Sequence, residues 1–494
     1  MTGTGNRVER PITSGDSPRD ILRACFGHRE FRDRQAEIVE RTIAGEHSLV
    51  LMPTGMGKSV CFQIPALLLA ARKVNEKHRG LTLVISPLIA LMKDQVDGLV
   101  RRGIEATFIN SSLDRNQRES RQADLSAGRF DLLYVTPERF RKPEFLEMLR
   151  CRRVHLLAVD EAHCISHWGH DFRPDYTRLR EIRSELGDPV TIALTATATP
   201  QVQSDIISQL GLTSGSMRIF NAGIERPNLT LRVSRVWGDE EKLAGIRETI
   251  EACPGSGIVY FSLIRTLERF SEQLTAAGTG HLVYHGDLPR ERRRQLQNAF
   301  MQGRDSLVLA TNAFGMGIDK EDIRFVVHAE IPGSMEAWYQ EIGRAGRDDL
   351  PAECHLLYDE NDLEIQLEFL RWSNPDAGFY SRLHHLLSSR REETNAYGRE
   401  WLERQLLGKR RADHRLDTAL AMLDRHGVVE GAIRPLRIDG VGPLPPRLAS
   451  PQWLDEKRQQ DQEKLLALVR YVNHRGDRRK FINDYFGVLP EGGE

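Results

Sequence analysis

A short glycine-containing loop constrains the fold of this chain more than any other stretch. The loop, Met52–Ser59, follows the apolar run Leu49–Leu51 and precedes a helix-like stretch, Val60–Ala71. A strand that enters a glycine-rich loop, which then opens a helix, has the geometry of a phosphate-binding loop. The usual pattern has a glycine where Met52 stands, so a plain strand–turn–helix with glycines for packing is the alternative on this stretch alone.

The residue types in the loop suit a nucleotide with its metal ion. Gly55 and Gly57 let backbone N–H groups approach phosphate oxygens at angles that bulkier residues resist. The helix N-terminus adds partial positive charge, Lys58 adds a full charge, and the hydroxyl of Ser59 is a ligand for Mg²⁺. The loop therefore predicts a site for nucleoside triphosphate phosphates.

Four further apolar runs alternate with helical stretches in the first half of the chain. They are Leu81–Ile85, Asp131–Val135, Val154–Val159 and Thr191–Leu194. Such alternation predicts a parallel sheet, whose ligands gather at the carboxyl ends of its strands. Because every polar motif in this half follows such a run, we expect these motifs to form one site.

Two adjacent carboxylates follow the third of these runs. Asp160 is placed to hold the Mg²⁺ that bridges nucleotide phosphates, directly or through water. Glu161 is placed to orient the attacking water or to accept its proton. His163, two residues further, could report the nucleotide state to its neighbours. Together with the phosphate loop, this run predicts nucleotide hydrolysis.

Two features fit either a functional or a structural role on residue types alone. Gln35, upstream of the phosphate loop, could read an adenine edge through its amide, or it could be a surface helix residue. The irregular segment Cys164–Tyr176 contains Trp168, Phe172 and Arg173, which suit stacking on unpaired bases with phosphate contact. The same aromatic side chains could instead pin the segment to its domain.

The second half repeats the alternating pattern after a linker-like stretch, residues 211–235. Its apolar runs are residues 257–262, 281–286, 306–310 and 325–328. Two α/β units with one phosphate loop between them indicate a nucleotide clamped at their interface. In that arrangement Arg344 or Arg347 would reach the γ-phosphate from the second unit as an arginine finger.

Composition limits the class of protein without identifying a partner. The length of 494 residues suggests two to four domains, and 69 basic against 70 acidic residues leave a net charge of -1. A nucleic-acid partner would thus need locally gathered positive charge. Six cysteines without a C-x-x-C pair indicate neither a disulfide framework nor a zinc site. With a polar N-terminus and no long apolar run, we expect no signal peptide, no membrane span and a cytoplasmic location, nucleoid-associated in a bacterium.

The quoted motifs resemble the RecQ family of superfamily 2 DNA helicases, in the family's order across roughly residues 20–360. The most specific match is Asp160–Pro174, because generic helicases lack this aromatic-rich extension. Ala310–Lys320 and Gln340–Asp348 also match closely. The resemblance implies two tandem RecA-like α/β domains, ATP-driven 3′→5′ translocation on single-stranded DNA and duplex unwinding. It also implies that the segment containing Trp168 couples DNA binding to hydrolysis.

The resemblance implies roles for individual residues. The implied catalytic residues are Lys58, Asp160, Glu161, Arg344 and Arg347. The implied ATP-binding residues are Arg32, Gln35, Thr54, Gly55, Met56, Gly57, Lys58, Ser59 and Asp319, with Mg²⁺ held by Ser59 and Asp160. The implied DNA-binding or coupling residues are Ser86, His163, Trp168, Phe172, Arg173, Thr195 and Thr197. The expected partners are single-stranded and duplex DNA, with a single-strand-binding protein or repair proteins as further candidates.

The C-terminal third carries weaker patterns. We expect a disordered leader over residues 1–17, ATPase domains over 18–215 and 216–360, and an accessory helical region over 361–494. Within it, a helix, turn and strand over 417–430 are compatible with a winged helix, and residues 440–451 have the composition of a loop. The basic cluster Lys409–Arg411 with Arg415 could meet phosphates or form a solvated helix face. Residues 465–487 resemble the helical part of the family's zinc module, but without its cysteines a structural zinc is not expected.

Two enzymatic functions follow from these patterns. The first is a DNA-stimulated ATPase and 3′→5′ helicase that acts in repair or recombination. The second is an ATP-driven translocase or remodeller with little duplex separation, which the uncertain wing and the missing zinc cysteines keep open. An RNA helicase fits less well because of the aromatic-rich extension, and a binding protein without activity fits least because the catalytic residues are all in place.

Overall fold

The computed structural model describes residues 12–13, 15–53, 55–71, 80–166, 173–221, 226–303, 306–315, 318–408, 413–433 and 435–488. These residues form two parallel sheets, each with flanking helices, and a mainly helical C-terminal region with one small hairpin. Within this described part, no helix combines the length and apolar character that crossing a membrane requires. The predicted leader lies largely outside the described residues.

The first sheet and its helices form lobe 1, residues 18–221. Its strands are β1 His47–Leu51, β2 Leu81–Ile85, β3 Ala106–Ile109, β4 Leu132–Val135, β5 Val154–Val159, β6 Val190–Thr195 and β7 Met217–Asn221, in the order β3-β4-β2-β5-β6-β1-β7. Its helices are α1 Pro18–Phe26, α2 Gln35–Ile43, α3 Val60–Ala71, α4 Ile89–Arg101, α5 Arg115–Ser126, α6 Pro143–Arg150, α7 Leu179–Glu185 and α8 Pro200–Gln209. Short 3₁₀ turns span Pro137–Arg141, Ala162–Ile165 and Pro174–Arg178. All the strand pairings in this sheet are parallel.

The strands of lobe 1 read as continuous apolar runs because helices cover both faces of the sheet. Every residue of β2 is buried, and α3 is buried on almost every side. Two apolar clusters, one on each face of the sheet, make up the core. This packing fixes the carboxyl edge of the sheet as a rigid platform.

The second sheet and its helices form lobe 2, residues 229–358. Its strands are β8 Leu229–Arg235, β9 Ser256–Tyr260, β10 Leu282–Tyr284, β11 Leu307–Ala310, β12 Ile323–His328 and β13 Ala352–Tyr358, in the order β10-β11-β9-β12-β13-β8. Its helices are α9 Gly238–Ala252, α10 Ile264–Ala276, α11 Arg290–Gln302 and α12 Met335–Ile342. The two tandem parallel-sheet units that the sequence predicts are thus confirmed.

The C-terminal region divides between two cores. Its elements are α13 Asp362–Ser373, α14 Ala377–Ser389, α15 Arg391–Leu407, α16 Arg415–Arg425, β14 Val429–Ile433, β15 Leu436–Val441, α17 Pro446–Ala449, α18 Pro451–Asn473 and α19 Arg478–Phe486. Residues 377–454 contribute a separate apolar cluster, and we call residues 374–460 the accessory module. The end of α18 and all of α19 instead pack into the core of lobe 2, through residues such as Tyr471 and Phe486.

Three sequence expectations are corrected by these elements. The stretch 211–235 is not a linker throughout, because β7 pairs with β1 and β8 pairs with β13. The first sheet therefore extends past the predicted boundary at residue 215. The stretch 440–451 contains the end of β15 and all of α17, so it is only partly a loop. The edge strands β7 and β8 are partly exposed, which weakens the apolar pattern by which a strand is recognised.

The accessory module contains a helix, a turn and a strand at the predicted place. A second strand then pairs with the first to form a hairpin. Strands β14 and β15 pair antiparallel, with a bulge between Glu430 and Gly431. Of the predicted basic cluster, residues 409–411 lie outside the described residues, and Arg415 pairs with Asp413. Among the described residues, no three His, Cys, Asp or Glu side chains are grouped as metal ligands. The predicted absence of zinc stays a prediction.

Candidate nucleotide site between the lobes

A cleft of about 560 Å³ separates the carboxyl edge of the first sheet from lobe 2. Its lobe 1 wall includes Lys58, Ser59 and Asp160, and its lobe 2 wall includes Arg344 and Arg347. The volume is typical of sites for small molecules and cofactors. The predicted catalytic residues of the two halves of the sequence therefore meet in one cavity.

Strand order explains why the motifs of lobe 1 converge. Strands β2, β5, β6 and β1 are consecutive neighbours in the sheet. Because parallel strands end at the same edge, Ser86, Asp160 and Thr195 lie beside the phosphate loop that follows β1. The structure thus brings these strand ends together, and their function as one site stays a prediction.

The phosphate loop has the backbone that its glycines allow. Gly55 and Gly57 adopt φ angles of 85° and 79°, in the left-handed region. A Cβ atom at Gly55 would lie 3.1 Å from Cγ of Arg347, and one at Gly57 would lie 2.8 Å from Nε2 of Gln35. Thr54 lies outside the described residues. Both glycines are thus required by backbone conformation and by close approach of neighbouring side chains.

A buried ammonium group supports the fit of this cleft to phosphate anions. The Lys58 Nζ atom is buried and has no hydrogen-bond partner among the residues that the structure describes. Since a buried ammonium group without a hydrogen-bond acceptor is costly, a phosphate oxygen is the kind of group that would complete this environment. Ser59 and Asp160 line the same cavity, with oxygen atoms of the type that Mg²⁺ prefers.

Gln35 contacts the phosphate loop in this structure. Its Nε2 donates to the carbonyl oxygens of Met56 at 2.8 Å and Gly57 at 3.3 Å, while its Oε1 accepts from the Arg32 backbone N–H at 2.9 Å. Because the Nε2 group is engaged by the loop carbonyls, full donation to an adenine edge would require the amide to leave them. The adenine role of Gln35 and Arg32 stays a prediction, and both residues line the cleft.

The two carboxylate residues after β5 are unusual in different ways, Asp160 in its pKa and Glu161 in its backbone conformation. Burial, followed by the charge of Glu161, raises the pKa of Asp160 above its ordinary range, and Lys58 opposes this shift. The Asp160 Oδ1 atom accepts a hydrogen bond from the Glu161 N–H at 3.0 Å. Glu161 itself adopts φ 48°, a left-handed conformation that is rare for a residue with a side chain. Strain of this kind is concentrated at functional sites.

His163 joins the carboxylate motif to the end of β6. Its Nδ1 lies 3.0 Å from Thr195 Oγ1 and 3.4 Å from Glu161 Oε2. Thr195 Oγ1 in turn accepts from the Thr197 N–H at 3.2 Å. The histidine is therefore in physical contact with groups on both sides, which is the arrangement that a reporter of nucleotide state needs.

The two candidate arginine fingers differ in their surroundings. Arg344 is buried and donates through Nη1 to the Gly315 carbonyl oxygen at 2.5 Å, within its own lobe. The Arg347 side chain crosses to the phosphate loop, where its Cγ approaches Gly55, and it also forms an ion pair with Asp319. Both arginines line the cleft, and the Arg347 side chain reaches the phosphate loop; their role as arginine fingers stays a prediction.

The residues predicted to contact DNA are mostly internal in this conformation. Ser86, Thr195 and Thr197 are 2%, 0% and 2% exposed, so they are not direct phosphate contacts here. Their positions between strand ends suit coupling instead. Arg173 is half-buried, and its Nη1 donates to the Pro87 carbonyl oxygen at 3.4 Å.

Trp168 and Phe172 lie outside the described residues. The choice between base stacking and pinning of the segment therefore stays open for both.

Sequence reasoning missed several residues of the site. Arg226 and Asn228 donate to the carbonyl oxygens of Ala345 and Gly346 and so hold the loop that carries Arg347. Gln95 on α4 lines the cleft and donates to Ser59 Oγ at 3.3 Å. Arg226 and Asn228 fell in the stretch 211–235 that was interpreted as linker-like, and nothing local to Gln95 pointed to the phosphate loop 36 residues away. Both contacts depend on packing.

Comparisons with known proteins agree with these features. A family model described as DEAD/DEAH box helicase matches residues 32–206, and one described as helicase conserved C-terminal domain matches residues 241–349. The ATP-dependent DNA helicase RecQ of Pasteurella multocida is 44% identical over 69% of this chain and 52% of its own length. The probable ATP-dependent DNA helicase RecS of Bacillus subtilis is 38% identical over 71% of this chain and 69% of its own length.

Solved structures extend the likeness to the fold. The DUF1998 helicase MrfA bound to DNA superposes with a TM-score of 0.58 at 20% identity, over 73% of this chain and 55% of that chain. At such low identity the match bears on the fold alone. This chain spans about half the length of the RecQ relatives that it matches first, 52% and 53% in two of them.

Proposed function

Since this chain belongs to the RecQ family of superfamily 2 DNA helicases, we propose that it couples ATP hydrolysis to movement along DNA and to duplex separation. One observation carries this proposal: Lys58, the Asp160–Glu161 pair and Arg347 converge from two lobes on one cleft. Hydrolysis in such a cleft depends on whether the lobes are closed. Relative movement of the lobes can therefore be converted into steps along a strand.

The residues of the cleft would have separate roles in phosphoryl transfer. The loop amides and Lys58 would bind the β- and γ-phosphates, and Ser59 with Asp160 would hold Mg²⁺. When bound, the cation neutralises charge on the phosphates. Glu161 would orient the attacking water and accept its proton, and Arg347 would stabilise the charge that develops on the transferred group.

DNA is the proposed partner, gripped alternately by the two lobes. Names of relatives support this, because the Pasteurella multocida and Bacillus subtilis proteins are both described as DNA helicases. We propose that the segment around Arg173, with the His163–Thr195 contact, couples DNA binding to the cleft. Polarity of 3′→5′, action in repair and binding of other repair proteins belong to this proposal as well.

Hydrolysis with and without single-stranded DNA tests the proposal. We expect strong DNA stimulation in the native chain, and loss of at least about 100-fold in Lys58→Ala and Glu161→Gln, since each removes a group acting on the phosphates or the water. Lys142→Ala and Glu144→Gln, exposed in the same lobe, are matched controls and should hydrolyse ATP normally. Hydrolysis that ignores DNA, or that survives both cleft substitutions, would contradict the proposal.

Strand displacement separates the two candidate activities. A duplex with a 3′ single-stranded overhang should be opened by the native chain, and one with a 5′ overhang should not. Stimulated hydrolysis without displacement, combined with removal of a protein block from single-stranded DNA, would instead identify a translocase.

A further inference from the structure

One side chain outside the predicted motifs touches the residue proposed as a Mg²⁺ ligand. Gln95, in the second turn of α4, donates from Nε2 to Ser59 Oγ at 3.3 Å. Gln95 is half-buried and lines the nucleotide cleft, so the contact lies inside the site and not on a distant surface. The bond joins α4 to the start of the helix that the phosphate loop opens.

The direction of this hydrogen bond matters for metal binding. A serine hydroxyl has two lone pairs and one proton. An amide N–H that donates to Ser59 occupies one lone pair and leaves the other for a cation, with the proton turned towards a different acceptor. A donor at this position therefore fixes the rotation of the hydroxyl and leaves one lone pair for the cation.

The position of Gln95 is set by the core of lobe 1. Met92, Val96 and Leu99 on the same helix are buried, so α4 is anchored along its length. The helix begins at Ile89, directly after the end of β2, where the Pro87 carbonyl oxygen accepts from Arg173. Gln95 lies about 9 Å along this helix from Ile89, so the anchored helix positions its amide beside Ser59.

We propose that Gln95 is a positioning residue, which holds the Ser59 hydroxyl in the orientation that binds the metal–nucleotide complex. This inference rests on the proposed function only in taking the ligand to be a Mg²⁺–nucleotide. It does not depend on DNA, on hydrolysis or on unwinding. The predicted consequence is specific: loss of the amide weakens the contribution of Mg²⁺ to nucleotide affinity and leaves metal-free binding intact.

Equilibrium binding of a fluorescent ADP analogue to the full chain tests this, with excess Mg²⁺ and separately with EDTA. Gln95→Met keeps the approximate length and helix propensity of the side chain and removes its amide, including the donor to Ser59. We expect the ratio of the two dissociation constants, EDTA over Mg²⁺, to fall about three- to ten-fold, as for loss of one ordinary hydrogen bond. The dissociation constant in EDTA should change less than about two-fold, and Gln122→Met on α5 should match the native chain.

A double-mutant cycle separates positioning from a general packing effect. Ser59→Ala removes the hydroxyl that Gln95 orients, so Gln95→Met added to it should change the ratio no further. If Gln95→Met lowers the ratio equally with and without Ser59, or weakens binding equally in EDTA, the inference is wrong. Failure of the proposed function is distinct from failure of this inference. It would appear as absent DNA-stimulated hydrolysis in the native chain, while Gln95→Met still lowers the ratio of the two dissociation constants.

Discussion

Individual residues of the cleft carry a desolvation cost or backbone strain. Asp160 is buried with a raised pKa, because its charge is desolvated and lies next to Glu161. Glu161 adopts a left-handed φ of 48°. The Nζ atom of Lys58 is buried without a hydrogen-bond partner among the described residues. These costs are offset by the rigid sheet below, which holds the groups in place for binding and chemistry.

The two arginines of lobe 2 should respond differently to the same substitution. We expect Arg347→Lys to lower kcat at least about 100-fold while the melting temperature changes little, because lysine keeps the charge but not the planar, multidentate guanidinium. Arg344→Lys should lower the melting temperature, since it removes the donor to Gly315. Arg247→Lys, exposed on α9, is the control. A native kcat for Arg347→Lys would rule out the assigned role.

One buried histidine should make lobe 2 sensitive to acid. Burial, with Arg232 nearby, lowers the pKa of His355 to about 4 from its ordinary 6.5. Its ring nitrogens lie 3.0 Å from Thr249 Oγ1 and 2.9 Å from Ser234 Oγ, so the neutral ring is fully used. The unfolded chain therefore binds a proton at a higher pH than the folded chain does.

The sign of the effect follows from that difference. The stability contributed by neutral His355 is complete above about pH 6.5 and is lost as the pH falls through 4, at up to about 1 kcal/mol per pH unit. Between these pH values, the free energy of unfolding should depend less steeply on pH for His355→Gln than for the native chain. His385→Gln, on the surface of α14, should keep the native slope. An unchanged slope in His355→Gln would contradict the prediction.

At the scale of elements, the core of lobe 2 is completed by helices from the far end of the chain. The last turns of α18 and the whole of α19 supply Tyr471, Ile482 and Phe486 to the same apolar cluster as Trp338 and Tyr339. The rings of Tyr339 and Phe486 lie 5.3 Å apart, and Tyr485 donates to Glu336 at 2.8 Å. These helices are thus part of the lobe in structural terms.

Truncation of one ring should reveal this dependence. We expect Phe486→Ala to destabilise lobe 2 by about 3–5 kcal/mol, because it opens a cavity at a fully buried position. Leu466→Ala on α18, where the side chain is 46% exposed, should cost less than about 0.5 kcal/mol. Denaturant unfolding of both variants provides the measurement. Similar costs for the two would mean that α19 is not part of the folded core.

At the scale of the whole molecule, one arginine connects the accessory module to lobe 1. Arg141 pairs bidentately with the buried Asp175 at 2.6 and 2.7 Å. The same guanidinium donates to the carbonyl oxygens of Asp424 and Arg425 at the end of α16, at 3.3 and 2.7 Å. A cation at a helix C-terminus is favourable, since it satisfies carbonyls that have no partner within the helix.

Hydrogen exchange tests this contact in the intact chain. Arg141→Lys keeps a positive charge but cannot span both partners, so exchange at the amides of residues 424–428 should become about five-fold faster. Lys142→Ala, exposed at the next position, should leave exchange unchanged. Equal protection in the native chain and in Arg141→Lys would mean that the module is held to lobe 1 by other contacts.

The sequence by itself determined the features that depend on neighbours along the chain. Apolar runs between helical stretches predicted most strands of the two sheets, because a sheet buried on both faces leaves no polar alternation, but β3, β7, β8 and β13 were not identified. Residue types at strand ends predicted the site, because Lys58, Asp160 and Glu161 have few other uses in such positions. The membership of the chain in its family was recognisable for the same reason, since these motifs are local.

Tertiary structure alone decided the contacts between distant residues. Local spacing does not distinguish Arg344 from Arg347, and only the packing of the lobes brings Arg347 to Gly55. Burial of Ser86 and Thr195, the bond from Gln95 to Ser59, and the return of α19 to lobe 2 likewise arise from the close packing of elements far apart in sequence. Such contacts are set by shape and volume across the whole core, which no short stretch of sequence specifies.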